Sequence, residues 1–133
     1  MKATIHHVAI AVHDLDAALA FYRDALGLEM TERRRVPEES VEIAFLSAGE
    51  GEIELLHPLD EESSVARFLE KRGEGLHHVC LAVEDIQAAM ERLREAGARL
   101  LREEPRVNEH GARYVFAHPR STHGVLLELY ELP

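Results

Sequence analysis

The chain has 133 residues, with 15 Lys plus Arg against 25 Asp plus Glu, a formal net charge of −10. That length fits one domain, or two small modules sharing a core, and 46% hydrophobic with 30% charged residues describes a foldable chain. The acidic balance argues against a broad nucleic-acid-binding face, and the longest apolar run, Ala17–Tyr22, falls far short of the ~20 residues of a membrane span. His6, His7, His13, Asp14 and Asp16 are unlike a signal peptide, and the single Cys80 points to a reducing cytoplasm. Nine His remain to be explained.

A strand is expected over 5–12, with Val8, Ile10 and Val12 on one face and His7, Ala9 and Ala11 on the other. The bulky face suits packing on a helix; the small residues with one His suit a cavity wall. Asp14 is an N-cap candidate for a helix whose apolar stripe is Leu15, Ala18, Leu19 and Tyr22, and Gly27 is placed to end it. Strands follow over 28–36, 41–47 and 52–57, with Gly49-Glu50-Gly51 as a hairpin loop. Ser63–Arg72 reads as a short helix.

Residues 77–96 then repeat residues 6–25. At an offset of 77 − 6 = 71 the pairs His6/His77, His7/His78, Val8/Val79, Ala11/Ala82, Val12/Val83, Asp14/Asp85, Ala17/Ala88, Ala18/Ala89, Arg23/Arg94 and Ala25/Ala96 are identical. A paired His and a helix cap recurring together indicate a duplicated module. The second copy predicts a strand with His78, Cys80 and Ala82 on one face. It also predicts a helix capped by Asp85 with Ile86, Ala89, Met90 and Leu93 apolar, and strands over 99–107, 112–117 and 124–130. Each module is therefore β-α-β-β-β. The expected organisation is one domain over 1–133, with module one about 1–60, a linking helix about 62–73 and module two about 75–133.

Each module ends with a Glu inside an apolar strand, Glu54 in Ile53–Leu56 and Glu128 in Leu127–Tyr130. A carboxylate there is costly to bury without a partner. Two modules offer His7, Glu54, His78 and Glu128, and a divalent cation supplies the partner. Two imidazoles and two carboxylates suit Zn, Co, Ni, Mn or Fe(II). Any one such residue is more often a core or surface residue; equivalent placement in both copies favours the metal. Strand alternation makes Glu42, and Arg113 at the equivalent position of module two, candidates to flank the metal, with a solvated strand face as the alternative. Arg113, Ser121 and Thr122 are candidate substrate contacts. His6 and His77 read as structural, and His13, His57, His110, His118 and His123 as surface residues.

Duplicated modules with this four-strand set resemble the vicinal oxygen chelate superfamily. His7 in IHHVAIAV, Glu52–Pro58 (EIELLHP), VARFLEKRGEGLHHV from Val65 and HPRSTHGVLLEL from His118 are similar to the methylmalonyl-CoA epimerase family. The resemblance covers nearly the whole chain. It departs at His123, where that family has a small residue, and Glu54 stands where some members carry Gln.

The resemblance implies an α+β fold: two tandem βαβββ modules forming a curved mixed sheet, or cup, with helices outside. It implies His7, Glu54, His78 and Glu128 as ligands of a divalent ion (Co, Zn, Mn or Ni), and Glu42 with Glu128 as an acid–base pair. It implies epimerisation of carbon 2 of a CoA thioester, methylmalonyl-CoA, in a homodimer. A glyoxalase I-like lyase and a metal-free binding module of the same fold are the alternatives; an extradiol dioxygenase fits less well, because its site typically has one carboxylate.

Overall fold

The computed structural model describes residues 1–133. Its elements separate into two compact units, His7–His77, and His78–Pro133 together with Met1–His6.

The first strand, β1 (Ala3–Ala11), leads to α1 (Leu15–Leu19), which Asp14 caps by accepting from the Ala17 amide at 3.1 Å. The next six residues, Ala20–Ala25, widen into a π-helical segment in which the Leu26 amide donates to the Phe21 carbonyl at 2.8 Å. Gly27, at φ +86°, takes the left-handed conformation that ends it. A meander follows: β2 (Met30–Val36), β3 (Val41–Ala48) and β4 (Gly51–Pro58). Ala48 pairs with Gly51, so the β3–β4 turn is only Gly49-Glu50. β1 then adds parallel to β4, giving the order β2-β3-β4-β1.

The two faces of this half pack differently. Leu15 and Leu19 of α1 cluster with Val12, Ala44, Leu46 and Leu55, and the whole expected stripe, Ala18 and Tyr22 included, joins them. Ala9, Ala11, Val41, Ile43 and Leu56 cluster on the other face with Val65 and Leu69 of α2 (Ser64–Arg72). Burying each large aliphatic side chain contributes about 1.5–3 kcal/mol. Ser63 caps α2, accepting from the Val65 amide at 3.1 Å.

The second half repeats the plan with β5 (Gly75–Val83), α3 (Ile86–Glu95), β6 (Arg106–Val107), β7 (Arg113–Ala117) and β8 (Leu127–Glu131). Asp85 caps α3 through the Ala88 amide at 3.0 Å. β5 pairs parallel to β8, β7 antiparallel to β8, and β6 to β7, in the order β5-β8-β7-β6. Ile86, Ala89 and Met90 pack on Val83, Val115 and Leu129. The α+β class with mixed strand pairing agrees with the sequence reading.

One strand does not. Of 99–107, only Arg106 and Val107 are strand, with a single bridge from Leu100 to Ala117. Arg102-Glu103-Glu104 is exposed and lacks alternation, and Pro105 has no amide to donate. The last strand also starts late, at Leu127, because His123 and Gly124 both hold positive φ, +59° and +95°.

Candidate metal and acid–base centre

Only five polar or charged residues are buried: His7 (3% exposed), Glu54 (7%), Ser63 (2%), His78 (5%) and Glu128 (6%). Ser63 is explained as a helix cap. The other four are the two His–Glu sets expected from the duplication.

In the first half, β1 and β4 run side by side with Ala9 opposite Glu54, which puts His7 and Glu54 on one face of neighbouring strands. His7 Nε2 lies 3.2 Å from Glu54 Oε1. In the second half, Cys80 stands opposite Glu128, and His78 Nε2 lies 3.1 Å from Glu128 Oε1. Neither Glu is on an edge strand, and both are buried.

The donor chemistry fits a metal. Ligand bonds of about 2.0–2.2 Å place neighbouring donors on one ion roughly 3–3.5 Å apart, and each pair already has that separation. Neutral imidazole and carboxylate are ligands that Zn, Co, Ni and Mn accept.

Each pair has an aromatic neighbour that the sequence reading missed. Phe45 stands directly across the β3–β4 ladder from Glu54, and its ring meets His7 edge-on at 5.4 Å and 81°. Phe116 stands across the β7–β8 ladder from Glu128 and meets His78 at 5.2 Å and 87°. Carrying the repeat offset further would have found them, since 116 − 45 = 71.

Glu42 is not brought to this face. It pairs across strands with His57, three residues beyond Glu54, in a regular ladder. It therefore shares the α1 face with Ala44 and Leu46. Arg33 Nε reaches Glu42 at 3.3 Å while its Nη1 holds Asp16 of α1 at 2.8 Å. The bonds to Asp16 and then Glu42 push the Arg33 guanidinium above its usual range, while partial burial opposes them. Arg113 departs in the same way. It stands opposite Glu131, bound to it at 3.1 Å, on the face of Val115 and Leu129 that packs on α3. Alternation makes Glu42 and Arg113 candidates for the cavity, with a solvated strand face as the alternative; the hairpin register puts both on the helix side.

Ser121 and Thr122 stabilise a loop. Ser121 Oγ accepts from the Arg99 amide at 2.8 Å, and Thr122 Oγ1 donates to the Pro119 carbonyl at 3.2 Å and also contacts the Val125 carbonyl. His6 stacks on Tyr130 at 4.6 Å and His77 meets Phe68 edge-on at 5.0 Å, consistent with packing roles. His118 Nδ1 accepts from the Arg120 amide at 3.0 Å, capping a short 3₁₀ turn.

Comparison with known proteins gives the same fold and a family. Residues 6–116 match the Glyoxalase/Bleomycin resistance protein/Dioxygenase superfamily. The ethylmalonyl-CoA/methylmalonyl-CoA epimerase of Cereibacter sphaeroides is 47% identical, over 99% of this chain and 100% of the relative. The crystal structure of methylmalonyl-CoA epimerase from Mycobacterium tuberculosis superposes with a TM-score of 0.91 at 38% identity, covering 97% of this chain and 87% of that one. A methylmalonyl-CoA epimerase solved with methylmalonyl-CoA and ammonium superposes with a TM-score of 0.92 at 37% identity, covering 99% and 96%. The chain belongs to the glyoxalase/bleomycin resistance/dioxygenase superfamily and, within it, to the methylmalonyl-CoA epimerases.

Proposed function

We propose that this protein is a metal-dependent epimerase of methylmalonyl-CoA, and of its ethyl homologue, acting at carbon 2 by two-base proton transfer. The observation that carries the reading is that buried charge is confined to two equivalent His–Glu pairs, His7–Glu54 and His78–Glu128. A relative solved with methylmalonyl-CoA and a 47% identical relative named for both thioesters support the substrate class.

His7, Glu54, His78 and Glu128 would hold one divalent ion, Co, Zn, Mn or Ni. Such an ion supplies Lewis-acid stabilisation of the negative charge that develops on the thioester oxygen.

Epimerisation removes the proton alpha to the thioester and returns one to the opposite face of carbon 2. Glu128 is the first base: its carboxylate takes the C2 proton, leaving the electron pair delocalised into the thioester carbonyl as an enolate. The second group must approach from the other face. Glu42, which the resemblance implies for this role, is turned toward α1 and bound by Arg33. A second acid on that face returns a proton to C2, and the two groups exchange roles with the direction of reaction.

Incubating 2R- or 2S-methylmalonyl-CoA with metal-loaded protein in deuterated water, and following carbon 2 by NMR, tests the reading. Deuterium incorporation with loss of optical purity is expected. Incorporation no faster than in buffer alone would reject it.

A further inference from the structure

We propose that Phe45 and Phe116 are positioning residues that fix the imidazole planes of His7 and His78, and so set how tightly the two pairs take a cation. The inference deepens the reading above and rests on it for the identity of the ligand.

The geometry is repeated. In each half the Phe is the direct cross-strand neighbour of the Glu and also lies edge-on to the His. The ring distances, 5.4 and 5.2 Å, and the interplanar angles, 81° and 87°, agree between copies and fall in the edge-to-face range for aromatic rings, about 4.5–7 Å. Neighbouring packing differs: Phe45 joins the cluster of Ala9, Ile43 and Val65, whereas Phe116 meets Tyr114 at 6.3 Å. The edge-on contact is common to both copies; the cluster around it is not. The contact has been kept in both copies of the duplicated module while the packing around it has diverged.

The physical role follows. A histidine on a strand can rotate about χ2 between two broad orientations. Both share one ring plane. A planar ring held perpendicular to the imidazole by the cross-strand ladder narrows the range of χ2 and so fixes that plane, leaving the hydrogen bond to the carboxylate to choose which edge presents Nε2. Groups that orient a ligating His through a hydrogen bond typically change metal affinity 10–100-fold when lost, and a ring that orients it by contact is expected to act at the low end of that range.

The test uses Phe45→Leu and Phe116→Leu, with Phe45→Tyr and Phe116→Tyr as ring-retaining controls and Phe→Met variants should a Leu variant fail to fold. Two readouts need no substrate. Three-bond couplings of the histidine side chains, measured by NMR in metal-free protein, report rotamer averaging. Titration with Co(II), followed by its d–d absorption, reports affinity.

The expected result is that Phe45→Leu frees His7 alone and Phe116→Leu frees His78 alone. Each should weaken Co(II) binding about tenfold, and each Tyr variant should restore it to within about threefold. A folded Leu or Met variant that keeps one fixed His rotamer and binds Co(II) within threefold of wild type overturns the proposal. Wild-type protein that takes up no Co(II) would reject the metal reading instead, and the couplings in metal-free protein would still decide the role of the two Phe.

Discussion

Glu42 and Glu54 lie on opposite faces of the β3–β4 hairpin, Glu42 across from His57 and Glu54 across from Phe45. The two carboxylates should therefore respond differently to substitution. Glu54→Ala, which removes an oxygen ligand, should lower the rate of C2 deuterium exchange, whereas Glu54→Gln, which keeps one, should retain most of it. Glu42→Gln should leave it within about threefold and cost at most about 1 kcal/mol of stability, as expected for a partly exposed ion pair with Arg33. A loss of ~100-fold or more in Glu42→Gln would restore Glu42 as the second base.

Removing an imidazole should be more damaging to the fold than removing a carboxylate charge. In His7→Ala, Glu54 would remain 7% exposed with its neighbour at 3.2 Å gone. Loss of a hydrogen-bonding neighbour from a buried charged group costs about 1–3 kcal/mol. Urea unfolding of the metal-free variant should show this loss, whereas Glu54→Gln, which keeps a polar group there, should lose less. Dialysis of wild type against a chelator should abolish exchange at C2, and Co(II) or Zn(II) should restore it.

Arg113→Ala tests the register of the second half. Its guanidinium is bound to Glu131 at 3.1 Å on the α3 face. The KM for methylmalonyl-CoA should stay within about twofold, and stability should fall by no more than about 1 kcal/mol. A rise in KM of tenfold would return Arg113 to substrate binding.

His123 holds φ +59° immediately before Gly124 at +95°. A left-handed backbone costs an L residue roughly 1–2 kcal/mol, less for His than for branched residues. His123→Gly should raise stability by about 0.5–1 kcal/mol in urea titration, after allowing for the larger unfolded-state entropy of glycine. The departure from the family noted in the sequence thus coincides with a backbone conformation that favours the small residue. No change in stability, or a decrease, would show that His123 makes a compensating contact in its loop.

Much of this was legible because duplication doubles the signal. Asp14 and Asp85 were readable as caps, and His7 and His78 as equivalents, since each feature had a second occurrence. The helix stripe of Leu15, Ala18, Leu19 and Tyr22 was readable because periodicity is local. The facing of Glu42 and Arg113 was not. Alternation divides a strand into two faces but does not say which one meets the helix; cross-strand register decides that, and register depends on a distant partner. For β6, the charges of Arg102-Glu103-Glu104 and then Pro105 leave little ladder to form before Arg106.

The turn between β3 and β4 is Gly49-Glu50, whereas residues 118–126 separate β7 from β8. His7 and Phe45 recur 71 positions later, but Glu54 recurs as Glu128, at 128 − 54 = 74. Three residues were gained in the connection, yet Glu128 still stands opposite Phe116 as Glu54 stands opposite Phe45. An odd-numbered slip passed on to the strand would have turned Glu128 toward α3. The tied hydroxyls of Ser121 and Thr122 and the left-handed pair His123-Gly124 all lie in that longer connection. They make it a length adaptor: the loop takes up the insertion, and the facing of the carboxylate is preserved through a change that spacing alone would have read as its loss.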